Sequence, residues 1–136
     1  MKPSLSPGKT LTRSIKVDDS RCIAFMGPAS RVYATPEMIN DMEYACRDLL
    51  LEHLDAGEDS VGSHVDVAHL AATPLGMTVT LEVRIIAIEK RRVSFEVIAR
   101  DALEECGRGT HVRFVVDIEK SRQRIADKRA KAGLTP

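Results

Sequence analysis

The chain has 136 residues and a mass of 15.0 kDa, enough for one ordinary domain and little more. Apolar residues make up 43% and charged residues 29%, which excludes a disordered chain. Twenty Lys and Arg balance twenty Asp and Glu, Trp is absent, and Tyr and Phe total five, so no nucleic-acid partner is expected from charge or from stacking surface.

Val67 to Leu81 is the longest stretch without Asp, Glu, Lys or Arg, and His69, Pro74 and Gly76 interrupt it. It is too short and too polar to span a bilayer, so no membrane association is expected. Met1 to Val17 carries charges throughout and lacks an apolar h-region, so no secretory signal is expected. Cys22, Cys46 and Cys106 sit far apart with no CxxC spacing. That argues against a disulfide framework or a metal knuckle and for a cytoplasmic protein.

In chain order, residues 9–17 alternate apolar and polar and predict a strand. Residues 18–34 read as a loop with a short apolar segment, Ile23 to Met26. Thr35-Pro36-Glu37 predicts a helix start, with Thr35 as N-cap, Pro36 in the first turn and an acid near the positive end of the dipole. The helix is predicted to run to about Leu54. At 100° per residue, Met38, Ile39, Met42, Ala45, Cys46, Leu49, Leu50 and Leu54 share one broad arc, with Glu37, Asp41, Asp48 and Glu52 opposite. Four strands follow. Val61 to Ala72 puts Val61, Ser63, Val65, Val67, His69 and Ala71 on one face. Thr78 to Glu89 alternates through Val79, Leu81, Val83, Ile85 and Ala87; beyond Lys90-Arg91-Arg92, Val93, Phe95, Val97 and Ala99 continue the pattern. Ala102 to Gly107 predicts a turn, and Thr110, Val112, Phe114, Val116 and Ile118 predict the last strand's inner face.

The connections are too short for parallel crossovers. The expected fold is therefore α+β: one long helix packed on a curved antiparallel sheet, within a single domain over residues 1–119. Ile86, Ile88, Ile98 and Val115 fall out of phase with the helix-facing set, and with an open sheet edge they suggest a homodimer. Residues 120–136 carry six basic side chains against Asp127, a net +5 that leaves −5 on residues 1–119. This basic tail is predicted to be solvated and partly helical; a guide for a phosphate-bearing ligand or a partner subunit is the sharper reading.

Three polar residues stand where chemistry is plausible. Glu43 lies at the border of the apolar arc, where a carboxylate loses water. His69 shares strand parity with Val65 and Val67 and is expected to face the helix. Thr35 sits beside the free N–H groups of the helix start. A carboxylate, an imidazole and a hydroxyl near a helix N-terminus suit acyl transfer or hydrolysis. His53, His64 and His111 are less informative, and His64 and His69 point to opposite faces, a poor metal pair. HExxH, GxGxxG, P-loop and GxSxG motifs are all absent from the sequence.

Four blocks carry a family resemblance: Val32-Tyr33-Ala34-Thr35, Met42-Glu43-Tyr44-Ala45-Cys46, His69-Leu70-Ala71-Ala72-Thr73-Pro74-Leu75-Gly76 and Gly107-Arg108-Gly109-Thr110-His111. In this order they resemble the fluoroacetyl-CoA thioesterase group of hotdog-fold thioesterases. The resemblance implies a hotdog fold, a catalytic set of Thr35, Glu43 and His69, and a site lined by Gly62 and Arg113. It also implies an acyl-CoA substrate, no metal or separate cofactor (CoA enters as part of the substrate), and a homodimer with active sites at the subunit interface. One position departs from the pattern: Ala29 takes the place of an aromatic lid, with Phe25 nearby, so a short or medium acyl group other than fluoroacetyl is expected. The expected reaction is hydrolysis of an acyl-CoA thioester to a carboxylic acid and free CoA. The alternatives are a non-catalytic acyl-CoA or small-ligand binding module and an enoyl-CoA hydratase; for the latter, Asp66 and His69 are the required types but differ in strand parity.

Overall fold

The structure is a computed structural model and describes residues 1–134. Residues 135–136, the end of the basic tail, lie outside the described residues. Five strands form one antiparallel sheet: β1 (Thr10–Lys16), β2 (Glu58–His69), β3 (Thr78–Glu89), β4 (Arg92–Arg100) and β5 (Glu105–Asp117), in the order β1-β3-β4-β5-β2. Helix α1 (Thr35–Leu51) crosses one face of it, and α2 (Ile118–Lys131) follows β5.

The centre of the sheet obeys simple alternation. Val79, Leu81, Val83 and Ile85 of β3 and Val93, Phe95, Val97 and Ala99 of β4 are fully buried under α1. The β3–β4 turn is tight and puts Lys90 at φ 56°, a left-handed conformation. Ile86 is exposed as expected, but a register shift between Ile85 and Ala87 breaks the phase beyond it, so Ala87, expected inward, is exposed and Ile88, expected outward, packs on the core. Facing them, α1 buries Met38, Met42, Ala45, Cys46, Leu49 and Leu50. Gly107 of β5 lets the helix come close, since a Cβ there would lie 2.6 Å from Met38 Sδ. The helix ends at Leu51, short of the expected Leu54, but Leu54 still reaches the core.

Several expectations are corrected. The N-cap is Ala34, whose carbonyl accepts from Met38 N–H at 3.0 Å; Thr35 is already helical, so its hydroxyl is free for another partner. Asp41, assigned to the solvent side, is buried. Tyr33 O–H donates to it at 2.5 Å, and Arg21 Nε donates at 2.9 Å. Burial beside this carboxylate pushes the Tyr33 hydroxyl far above its ordinary value. On β5 the inner face is His111, Arg113 and Val115, not Phe114, which is 40% exposed. Hydrophobicity misreads this strand because its inward face carries the polar side chains of a site. On β2, Val61 and Val65 are exposed, because β2 is an edge strand and a register shift between Gly62 and His64 breaks the alternation.

The Asp41 network ties the 18–34 loop to α1. Asp41→Ala is expected to destabilise the fold by about 2–3 kcal/mol, the range for a buried charged hydrogen bond discounted for the partial exposure of Arg21. Urea melts compare it with wild type; a loss under about 0.5 kcal/mol would mean the network contributes only surface-pair energy.

Candidate active site

The sequence-predicted residues fall into two crevices of the subunit. The first is about 520 Å³ and is lined by Asn40, Glu43, Tyr44 and Arg47 of α1, by Ser60, Val61 and Gly62 of β2, and by Arg113 of β5. The second is about 400 Å³ and is lined by the 18–34 loop (Ile23, Phe25, Val32, Tyr33), by Thr35, and by His69 to Ala72. Glu43 and Thr35 are eight residues apart on one helix, about 12 Å along its axis.

In the first crevice Glu43 stands at the border of the buried arc, where the helical wheel places it, but it loses less water than expected there. Its side chain keeps 36% exposure and faces open space, because it projects from the rim of the buried arc. Beneath it lie two buried polar side chains from β5. Arg113 donates from Nε to Ser60 Oγ at 2.7 Å and from Nη2 to the Ser60 carbonyl at 2.8 Å. Burial lowers its pKa, and the negative charge of Glu43 opposes that shift. His111, less informative than His69 in the sequence, packs beside Arg113 with Nε2 at 3.7 Å from Glu43 Oε1. Its signal was present in the sequence as strand parity: Gly109, His111, Arg113 and Val115 share one face. Gly62 closes the group. A Cβ built there would stand 2.6 Å from Glu43 Oε1 and 3.1 Å from His111 Cε1.

Gly62→Ala therefore drives a methyl group into the carboxylate. No positive φ is involved, so the strain is local to the site. The expected result is a kcat loss of about tenfold or more, with little change in melting temperature. Steady-state kinetics beside a thermal melt check it; wild-type kcat in the alanine variant would remove Gly62 from the site.

In the second crevice Thr35 Oγ1 and His69 Nδ1 are 2.7 Å apart, and the Tyr33 ring meets the imidazole edge-on at 6.4 Å. His69 Nε2 is buried without a hydrogen-bond partner among the described residues. Phe25 is 82% exposed at the mouth of this crevice, and Ala29 is exposed on the same loop. So Thr35 and His69 come together, while Glu43, Gly62 and Arg113 come together separately.

Burial lowers the pKa of both His69 and His111 below the ordinary 6.5. The folded state thus resists protonation, and the unfolded chain binds more protons as pH falls below about 6.5. Stability contributed by the neutral imidazoles is complete above that point and is lost as pH drops through the folded values. The urea midpoint is expected to fall between pH 7 and pH 5, and His69→Gln should shrink the drop; a flat profile over that window would contradict the burial of both rings.

The sequence and the overall fold are similar to those of known proteins. The sequence profile of the fluoroacetyl-CoA-specific thioesterases matches residues 17–119. The fluoroacetyl-CoA thioesterase of Streptantibioticus cattleyicolor is 35% identical over 135 residues, covering 94% of this chain and 97% of that protein. A solved structure of fluoroacetyl-CoA thioesterase superposes with a TM-score of 0.84 at 33% identity, covering 98% of this chain and 99% of the other. A hot-dog-like protein from Thermanaerovibrio acidaminovorans superposes with a TM-score of 0.84 at 25% identity, over 93% of each chain. With its single curved antiparallel sheet around one long helix, the chain belongs to the fluoroacetyl-CoA-specific thioesterase family of hotdog-fold proteins.

Proposed function

We propose that this thioesterase hydrolyses a short-chain acyl-CoA at a site that two subunits complete together, with Glu43 from one and Thr35 and His69 from the other. The reaction class, release of a carboxylic acid and CoA from an acyl-CoA thioester, follows from the family. The observation that carries the two-subunit reading is the division of polar residues between two crevices, one ending in a carboxylate and the other in a buried, unpartnered imidazole nitrogen.

Strand β2 offers the means. It is a 12-residue edge strand with exposed Val61 and Val65 and an unpaired outer row of backbone groups. Antiparallel pairing of β2 with its copy about a two-fold axis near Ser63 to Val65 sets early residues of one strand against late residues of the other. Gly62 and the adjacent Glu43 then approach the partner's His69.

At such a site Glu43 acts on the thioester carbonyl, as general base for water or as nucleophile. Thr35 holds His69 by Nδ1, leaving Nε2 to carry a proton toward the leaving thiolate. A Gly62 backbone N–H is suited to the developing oxyanion, an effect of about 3–4 kcal/mol per donor. Side chains and backbone supply every step, and CoA enters only as substrate. Asn40, Tyr44, Arg47 and Arg113 make the first crevice polar, which suits a short acyl group better than a long alkyl chain. Among the described residues no helix is long and apolar enough to cross a membrane. Free thiols at Cys22, Cys46 and Cys106 support placement in a reducing cytoplasm.

Thiol release from a panel of acyl-CoAs, from acetyl to decanoyl, tests the reading. The highest kcat/KM is expected at two to four carbons; activity rising steadily to long chains would overturn the short-acyl assignment, and no turnover on any member would overturn the hydrolytic one. Water addition to crotonyl-CoA, followed by absorbance, separates hydration from hydrolysis.

A further inference from the structure

The β2 bulge beside Gly62 is held by a side chain that the mechanism above does not use. We propose that His111 is a positioning residue for the hydrolysis: a neutral imidazole with its proton on Nδ1, which braces the bulge and offers Nε2 to Arg113, so that Gly62 stays seated against Glu43. The inference rests on the assignment of Glu43 to the site.

Both ring nitrogens point to the same tautomer. Nδ1 lies 2.9 Å from the His64 carbonyl oxygen, which only accepts, so Nδ1 must carry the hydrogen. Nε2 lies 3.2 Å from Arg113 Nη1, which only donates, so Nε2 must be bare. The 3.7 Å to Glu43 Oε1 is too long for a hydrogen bond, so His111 is not the direct partner of the carboxylate. The ring is 1% exposed and stacks on Phe95, with centroids 6.2 Å apart and planes at 28°, which locks its orientation. The charged and titratable groups around it are Glu43 from α1, Arg113 on its own strand and His64 from β2. Burial and the Arg113 charge both disfavour a proton on Nε2, against the opposing pull of the His64 carbonyl and Glu43.

The two β5 side chains together clamp β2 on either side of Gly62. Arg113 holds Ser60, two residues before it, through the side-chain oxygen and the carbonyl. His111 holds the carbonyl of His64, two residues after it, across the point where the register passes from Gly62↔Arg113 to His64↔Val112. Between these anchors the chain carries one extra residue, Ser63, which has no partner in the β2–β5 register and whose Oγ donates to the Val112 carbonyl at 3.3 Å. The position of the Gly62 backbone relative to Glu43 therefore depends on the clamp. A ring that took a proton on Nε2 would repel Arg113 and release one side of it.

The test uses the full chain and joins a spectroscopic readout to kinetics. Long-range proton–nitrogen NMR of the wild-type imidazoles is expected to show His111 as the neutral Nδ1–H tautomer at pH 7. A charged ring or an Nε2–H tautomer overturns the proposal without reference to activity. With acetyl-CoA, or whichever short acyl-CoA the wild type turns over fastest, His111→Phe keeps the stacked ring but neither nitrogen; it is expected to lose about 30-fold or more in kcat with KM changed less than about threefold. His111→Gln, whose amide can turn its oxygen to Arg113 and its NH2 to the His64 carbonyl, is expected to return to within about fivefold of wild type. Glutamine no better than phenylalanine, or a phenylalanine variant with wild-type kcat, overturns the proposal. If the phenylalanine variant does not fold, the tautomer and the glutamine kinetics decide it. Glu43→Ala is the control: full activity there removes the site reading and this inference with it, whereas an inactive Glu43→Ala beside an unimpaired His111→Phe removes this inference alone.

Discussion

Glu43→Ala is expected to lower kcat/KM for the best short acyl-CoA by about 10²- to 10⁴-fold, the range for loss of a positioned general base. Glu43 is the one carboxylate of its crevice and projects toward open space rather than into a structural pair. The carboxylates that do serve the fold are visibly engaged: Asp41 with Arg21 and Tyr33, and Asp59 with Arg47. The same substitution should move the melting temperature only modestly: the side chain keeps 36% exposure, and what the fold loses is the negative charge that faces the buried Arg113. Glu43→Gln keeps the shape and removes the base, and it should fall with the alanine variant. A kcat/KM within about tenfold of wild type in both variants would show that Glu43 is not the base or nucleophile of the hydrolysis.

Mixing two inactive variants gives the second large effect. If each site takes Glu43 from one subunit and His69 from the other, a hybrid of Glu43→Ala and His69→Ala subunits holds one site with both groups intact and one with neither. Random reassembly of equal amounts makes half the dimers hybrid, so about one quarter of wild-type activity is expected to return from two preparations that are each nearly dead. The measurement is thiol release after the two proteins are unfolded together, refolded and compared with each refolded alone. A mixture no more active than its parents, in a sample that light scattering shows to be dimeric, would place both groups in one subunit or in separate sites. Thr35→Ala should complement Glu43→Ala in the same way, because Thr35 and His69 are already 2.7 Å apart within a subunit. It should not complement His69→Ala.

Much of the architecture was legible before any coordinates. The helix stripe from Met38 to Leu50, apart from half-buried Ile39, and the paired alternations of β3 as far as Ile85 and of β4 are buried as the sequence predicts, because a repeat of 3.6 or 2.0 leaves a core one geometric solution. Reading failed where polarity and burial part company. Asp41 was placed in solvent because a carboxylate at that angle usually is; Tyr33 and Arg21, distant in sequence, make its burial tolerable. Phase failed on β5 because the inward residues there are His111 and Arg113, and on β2 because a bulge shifts the register at Gly62.

The candidate site divides along the same line. Thr35, Glu43, His69, Gly62 and Arg113 were all named from sequence. Their grouping into two crevices, with Thr35 bound to His69 and Glu43 set against Gly62 and Arg113, belongs to the packing of a helix across five strands. His111 closes one of the four resemblance blocks and shares strand parity with Arg113, but a histidine in a strand is ordinary until its neighbours are known, and only the packing shows them.

By itself, then, the sequence determined the order of elements, the buried faces of α1, β3 and β4 and the residue types of the site, because these follow from local periodicity and chemical character. Only the tertiary structure decided which polar groups meet, which strand lies at the edge and which imidazole nitrogen carries its proton. Those depend on contacts between residues tens of positions apart, and no local pattern encodes them.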